Sequence, residues 1–531
     1  MITLSPPFNT QTGNWELPDT FNFATDIVDY WAAQGNGDKI ALITVDQHMV
    51  EHVYTYSEIS RQAAQYANLL EAQGLKQGDR VIVMLPRIAE WQIAMTAVLR
   101  AGAVPIPCIT MLTEADLAYR AAHAEAVAVI TLAEETAKFD AIDGVPIRLC
   151  TGDAPSGWTS LNDAAHQSDA HAAAQVGIED AAILYYTSGS TGKPKGVTHA
   201  ARALYAWASS AIHWLELTPQ SRIWCTADTG WSKAGTSILF GPWSQGASVL
   251  FYDGPFEPQM RLQLLQKYQI SCYCAAATEL RRLILEDVSA YDLSHLKTTV
   301  SAGESVNPEI IHRWQDLTGI TIRDGYGQTE TLMTVTNRPG MAIKPGSMGV
   351  ALPGVDIAVR TDNNRCMTHG AAGELLIKLP NPQVMTGYRD DEERTKSAQI
   401  SFDGGRYLTT GDTVEIDAEG YVFYTGRVDD LINSSGYRIG PQEVENVLSA
   451  HEAVQECAVV GAPDAERGEL VKAYIILNKG FSGDDTLISE LQRHVKAQTA
   501  PYKYPRAIVF VGELPKTVSG KIQRNLLRQL G

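Results

Sequence analysis

Apolar residues recur at two spacings through the first 300 positions of the chain, and the two alternate. Residues 56–70, Tyr-Ser-Glu-Ile-Ser-Arg-Gln-Ala-Ala-Gln-Tyr-Ala-Asn-Leu-Leu, gather their apolar side chains on one helical face, with Ser57 placed as the cap. Residues 80–85 form a short strand of buried type stopped by Pro86. A helix is expected over 89–99, ending at Arg100-Ala-Gly102, then a strand from 104, a helix over 114–124 and a strand over 127–130. After a loop near 190 the pattern resumes. Helices are predicted at 200–214, 233–245, 257–267 and 278–286, and strands at 221–226, 247–252, 269–275 and 297–301. Strands separated by helices of this length indicate an α/β fold with a parallel, doubly wound sheet.

The pattern changes twice more. From Gly346 to Asp412 short strands broken by Gly and Pro suit a small β-barrel or sandwich. Beyond a linker at 426–430, helices at 441–450 and 485–498 alternate with strands at 455–461, 471–477 and 507–511. The expected division is a large N-terminal domain over 1–427, holding doubly wound sheets and the small β-barrel at about 346–412, and a small mobile α+β C-terminal domain over 428–531. No internal repeat or low-complexity tract interrupts either.

Composition narrows the class without naming it. At 531 residues the chain exceeds one compact core, and 45% hydrophobic with 20% charged residues is ordinary for a globular protein. The first 22 residues lack a basic segment followed by an apolar one, so no secretory signal is expected, and no stretch reaches a membrane span of about 18 apolar residues. Seven scattered cysteines favour reduced thiols, hence a cytoplasmic enzyme, and Cys272 and Cys274 lack a second pair at metal spacing. A net charge of −18 argues against nucleic-acid binding, yet the last 41 residues carry eight Lys or Arg and one acid, Glu513. A basic end on an acidic chain is the field expected around a small polyanion.

The densest chemistry follows the apolar run Ile183-Leu-Tyr-Tyr186. Thr187, Ser188, Gly189, Ser190, Thr191, Gly192, Lys193, Pro194 and Lys195 combine close backbone approach, hydroxyl donors and positive charge, which together cradle phosphate. A Walker loop is excluded, since Thr187 stands where it needs Gly and Pro194 where it needs Ser or Thr. Four further clusters accompany the loop. Asp324-Gly-Tyr-Gly-Gln-Thr-Glu330 offers an aromatic ring and a hard oxygen ligand suited to Mg²⁺. Thr410-Gly-Asp412 offers a carboxylate for paired sugar hydroxyls. Gly426 to Arg438 sets two arginines around an acidic linker, and Pro515 to Arg524 puts Lys521 after a Gly in a basic loop.

Together and in this order these motifs resemble the adenylate-forming superfamily of acyl-CoA synthetases, adenylation domains and luciferases, over essentially the whole chain. The resemblance is greatest to medium-chain acyl-CoA synthetases, through Thr229-Gly-Trp231, Ala302-Gly-Glu304, Ile432 to Pro441 and Thr499 to Arg506. It implies three small molecules besides the carboxylic acid: ATP, Mg²⁺ and coenzyme A. Residues 187–195 would hold the β,γ-phosphates. Asp324, Gly325, Tyr326, Gly327, Gln328 and Thr329 would line the adenine and α-phosphate, with Tyr326 against the base. Asp412 and Arg427 would hold the ribose, and Glu330 the metal. Lys521, Glu330 and Thr329 would stand at the reacting centre, where a cation must face the charge that develops as two anions join.

Acyl-AMP formation and thiolysis by CoA cannot share one geometry, because Lys521 must leave before the thiol arrives. The resemblance implies rotation of the C-terminal domain about Asp429, which brings Ser435, Gly436, Tyr437 and Arg438 to the site, with Arg467, Lys496, Tyr504, Pro505 and Arg506 as further CoA contacts. Trp231, Gly303 and Gly327 would line the acyl pocket. Acetate-specific relatives carry Trp at the place of Gly327, so a longer or bulkier acid is expected here. Lys233 stands where many relatives have an apolar residue, either as a salt-bridged support or as a trim to the pocket. The loop around Lys521 also resembles one modified by protein acetyltransferases. A stand-alone adenylation enzyme loading a carrier protein is the nearest rival; no carrier domain follows Gly531, and the basic set at 496–506 favours CoA. A regulator without catalysis would lack Lys521, Glu330 or Asp412, and all three are present.

Overall fold

A computed structural model of the chain describes residues 6–34, 37–187, 193–304, 306–435, 437–464, 467–516 and 522–530, with the backbone only at Arg438. The alternating first third forms a sheet of five parallel strands in the order Val104–Pro107, Arg80–Met84, Ala126–Thr131, Ile147–Cys150 and Thr159–Ser160. Helix Tyr56–Ala72 starts with its apolar face, two residues before a Ser57 cap would start it. Thr55, not Ser57, is the cap: its hydroxyl accepts from the Glu58 N–H while the Glu58 carboxylate accepts from the Thr55 N–H, a reciprocal capping box. Ser57 instead donates to the carbonyl of Ala32.

A second, larger sheet holds six consecutive parallel strands, in the order Ile322–Gln328, Thr298–Ala302, Cys272–Cys274, Arg222–Cys225, Ser248–Asp253 and Ile40–Asp46. Two of the expected helices in this region are broken. The one at 200–214 divides at Trp207 into Ala201–Ala206 and Ala208–His213, where the Ser210 hydroxyl and N–H both turn onto the Trp207 carbonyl. The one at 233–245 is Ser232–Ala234, a wider turn over Gly235–Leu239, then Phe240–Ser244. Pro242 has no N–H to close the regular ladder there. The carboxyl ends of the parallel strands carry Cys225, Cys274, Ala302 and the 324–328 segment, the edge where open α/β sheets bind ligands.

The barrel-like region differs from its expected limits. Strand Ile322–Gln328 pairs antiparallel with Leu332–Thr336, which pairs with Ser347–Ala351, so the antiparallel strands continue the parallel sheet without a break. They run past 412, because Thr410-Gly-Asp412 lies inside the long strand Gly405–Ile416, whose partner is Val422–Arg427. Their inner face buries Val335, Met348, Leu375, Ile377 and Val414 as a separate core. Residues 432–510 build another sheet from Tyr437–Ile439, Ile432–Ser434, Gly468–Leu477, Val454–Asp464 and Ala507–Phe510, covered by helices Pro441–Ser449 and Asp485–Gln498. Among the described residues no helix is long and apolar enough to cross a membrane.

The cap assignment separates two adjacent hydroxyls by experiment. Thr55→Ala removes the acceptor at the helix start and is expected to weaken its first turn by about 1 kcal/mol, read as faster amide hydrogen exchange at residues 57–59. Ser57→Ala is expected to leave that exchange within a factor of two of the parent. The reverse order would return the cap to Ser57.

Candidate active site

The segment 187–195 connects two paired strands. Strands Ala181–Thr187 and Lys195–Ala200 run antiparallel with Thr187 opposite Lys195, and the second also pairs with Gly387–Tyr388. No helix starts at its end, a further difference from a Walker loop. Ser188, Gly189, Ser190, Thr191 and Gly192 lie outside the described residues; Thr187, Lys193, Pro194 and Lys195 lie within them. The Lys193 ammonium sits 5.8 Å from the centre of the Tyr119 ring and that of Lys195 5.5 Å from the Tyr388 ring. Burial lowers the pKa of Lys195; Arg394 and Arg427 lower it further while Glu330 and Asp391 oppose them, so cations and carboxylates converge on this point.

The 324–330 segment crosses the carboxyl edge of the sheet and meets both groups expected of it. At one end Tyr388 donates its hydroxyl to Glu330 Oε1 at 2.8 Å, next to Lys195. The Thr329 carbonyl accepts from His199 Nε2 at 2.7 Å, and burial keeps His199 neutral by lowering its pKa to about 4. The Thr329 hydroxyl is 3.3 Å from that of Ser232. At the other end Asp412 Oδ2 accepts from the Tyr326 hydroxyl and from Gln328 Nε2, each at 2.6 Å, while Asp412 Oδ1 lies 3.3 Å from Arg427 Nε across the strand pair. One carboxylate thus joins the end of strand Ile322–Gln328 to an exposed arginine on Val422–Arg427.

Three expectations for this segment need correction. Tyr326, expected against a base, buries its ring with Val197, Val335 and Met348 and satisfies its hydroxyl on Asp412, which fits a large ring with one polar handle. Asp324 does not point outward. It is buried, it accepts from the Gly325 N–H at 2.8 Å, and burial raises its carboxyl pKa to about 7. Gly327, expected to open the acyl pocket, is crowded by the neighbouring strand. A Cβ there would come within 1.9 Å of the Leu332 carbonyl oxygen, so the glycine answers the close approach of two strands. Gly325 is similarly enclosed by Met333 and Trp214.

Gly303, the other glycine expected at the acyl pocket, is placed differently. It has φ +96° and a Cβ there would meet nothing within 4 Å, so it borders open space beside the sheet edge. Trp231 packs half-buried against the cluster containing Ile109 and Tyr186. Lys233 is a support: its ammonium donates to the Ala302 carbonyl at 3.1 Å, directly before Gly303. Burial alone would lower its pKa, but Cys274, Cys225 and Glu304 around it outweigh that and raise it. Glu304 is pushed up by burial and held back first by Lys233, then by Arg281 and Lys516. The stem of the C-terminal basic loop therefore comes within electrostatic reach of the Gly303 turn.

Lys521 itself lies outside the described residues, as does Gly436 and the side chain of Arg438. Lys516 and Ile522 form an isolated antiparallel bridge that brings the two ends of that loop together. Asp429 sits in the turn Val428–Asp430; its carbonyl accepts from Arg528 at 3.2 Å, and Arg528 also pairs with Asp430 at 2.6 Å. The CoA candidates form two groups. Arg467 donates to the Ser435 hydroxyl at 2.9 Å beside Tyr437. Lys496 and Arg506 flank the Tyr504 ring at 3.9 and 4.7 Å, and the Pro505 carbonyl accepts from Gln492. Tyr437 stacks on Tyr502 with ring centres 4.2 Å apart, joining the groups. Tyr388, His199, Ser232, Tyr119 and Tyr502 escaped the sequence reading, and of these only Tyr388, in Thr386-Gly-Tyr-Arg-Asp-Asp391, stands in a turn-like run that could have drawn attention.

Comparison with known proteins agrees with this geometry. The model of the AMP-binding enzyme family matches residues 29–389, and that of the AMP-binding enzyme C-terminal domain matches 443–521. The human mitochondrial acyl-coenzyme A synthetase ACSM3 is 40% identical over 97% of this chain and 90% of its own. The uncharacterized acyl-CoA ligase YtcI of Bacillus subtilis strain 168 is 39% identical over 96% of both. Among solved structures, the anthranilate CoA ligase AuaEII in complex with anthranoyl-AMP superposes with a TM-score of 0.88 at 31% identity, covering 97% of this chain and 98% of that one. The chain belongs to the adenylate-forming AMP-binding enzyme family and is an ATP-dependent acyl-CoA synthetase.

Proposed function

We propose that this synthetase activates a medium-chain, branched or aromatic monocarboxylic acid, first as acyl-AMP with loss of pyrophosphate and then as acyl-CoA with loss of AMP. The observation that carries the reading is the division of the 324–330 segment between two ends. Asp412 and Arg427 supply a carboxylate and a cation suited to ribose hydroxyls at one end, while Glu330, Lys195 and the hairpin stem suit phosphates at the other. In the first half-reaction an oxygen of the acid attacks the α-phosphorus and pyrophosphate departs. Both reactants are anions, so Lys195 and Lys521 would offset the charge that accumulates.

Glu330 fits a metal of the Mg²⁺ kind: a half-buried carboxylate, fixed through one oxygen by Tyr388, would offer its other oxygen as a hard ligand beside residues 187–195. When bound it would neutralise part of the phosphate charge. In the second half-reaction the CoA thiol attacks the acyl carbonyl and AMP leaves. We assign CoA to the face of Ser435, Tyr437, Arg467, Lys496, Tyr504 and Arg506, reached by rotation about Asp429 between domains 1–427 and 428–531. The open space beside Gly303, with Trp231 and the Lys233 support, favours an acid longer or broader than acetate. A cytoplasmic setting belongs to the same proposal, supported by seven unpaired cysteines. So does acetylation of Lys521, which would remove its charge.

A panel of acids assayed for CoA-dependent pyrophosphate release tests the substrate class. Each added CH₂ is expected to improve kcat/KM by about threefold to fourfold, following roughly 0.8 kcal/mol per buried methylene, until the pocket is full. Better use of acetate than of any C4–C8 or aryl acid would refute it. Lys521→Ala is expected to slow acyl-AMP formation by roughly 100-fold or more while thiolysis of supplied acyl-AMP falls much less. Equal losses in both half-reactions would remove Lys521 from the first.

A further inference from the structure

Helix Glu114–Ala124 lies outside the site described above, yet it grips both stems of the phosphate hairpin. A capping box between Thr113 and Asp116 anchors its first turn. One helical turn on, the Tyr119 hydroxyl donates to the Pro194 carbonyl at 3.0 Å, and its ring lies under the Lys193 ammonium at 5.8 Å. Tyr119 stacks on His123 with ring centres 5.3 Å apart, and His123 Nδ1 shares a hydrogen bond of 2.8 Å with the hydroxyl of Tyr186, the residue before Thr187. The Arg120 guanidinium covers the Tyr186 ring at 5.3 Å. On the returning strand, a Cβ at Gly196 would lie 3.4 Å from the His123 ring. A single helix face therefore touches residues 186, 193, 194 and 196, on both sides of the loop.

We propose that Tyr119 is a positioning residue for the ATP triphosphate, acting through Pro194 and Lys193 and not on the nucleotide directly. This rests on the phosphate role of residues 187–195. Fixing Pro194 and Lys193 before an anion arrives lowers the ordering cost of binding it. Tyr119 supplies two separable contacts to the charged stem: a hydroxyl that orients the Pro194 peptide, and an aromatic face that holds the Lys193 ammonium at the loop. Both contacts serve the β- and γ-phosphates, which take part in acyl-AMP formation and are gone before thiolysis.

Tyr119→Phe keeps the ring and removes the hydroxyl; Tyr119→Leu removes both contacts. In acyl-AMP formation, followed by pyrophosphate exchange, the KM for ATP is expected to rise about fivefold in Tyr119→Phe and about twentyfold in Tyr119→Leu. The KM for the acid should stay within a factor of two, and thiolysis of supplied acyl-AMP should keep more than half its rate. A KM for ATP within twofold of the parent in Tyr119→Phe, at unchanged melting temperature, would overturn the proposal. So would equal losses in both half-reactions, which would make Tyr119 a support of the fold. Failure of the parent enzyme itself to form acyl-AMP would instead refute the functional reading.

Discussion

Asp412 is the point on which the site depends. Its carboxylate stands where the parallel sheet, through Tyr326 and Gln328, meets the antiparallel strands that carry Asp412 and Arg427. Hydrogen bonds to an ionised carboxylate are worth about 2 kcal/mol each, and here two of them link strands far apart in the order of one continuous sheet. Strand Ile322–Gln328 thereby becomes a seam. Its neighbour on one side, Thr298–Ala302, is parallel and that on the other, Leu332–Thr336, antiparallel. Without that tie the Gln328–Glu330 turn would lose its alignment with the phosphate hairpin.

The rest of the site is arranged around the seam by charge. Lys195, Arg394 and Arg427 lie on one flank with Glu330 and Asp391 among them; Lys233, Glu304 and the stem of the C-terminal basic loop lie on the other. Half-buried cations of this kind are costly unless something negative sits among them. The carboxylates and two aromatic rings fill that role. A triphosphate and an acid would replace part of it, which suits a site that must hold anions against their mutual repulsion. The aromatic faces of Tyr119 and Tyr388 hold the two loop lysines close to where phosphate is expected.

Much of this was legible in the amino-acid order. The helices Glu114–Ala124 and Asp485–Gln498 fall where their apolar spacing puts them, because a periodic face buried against a sheet leaves little choice of register. The broken helices at Trp207 and Pro242 were not legible in the same way. There a serine side chain competes for a carbonyl or an N–H is lacking, and apolar spacing reports neither. The cap is Thr55 and not Ser57 because Glu58, three residues on from Thr55, closes a reciprocal pair with it while Ser57 turns to Ala32.

The motifs at 187–195, 324–330, 410–412 and 515–524 were decided by sequence alone, since each needs particular side chains in close succession, and succession is what a sequence records. Which way those side chains face was decided only by tertiary structure. Gly327 and Gly303 both read as pocket positions in the chain, but the Leu332 carbonyl crowds the first while open space borders the second. Tyr326 reads as a stacking ring until Asp412, 86 residues away, claims its hydroxyl. Orientation depends on neighbours brought from distant segments by packing, and no local spacing encodes them.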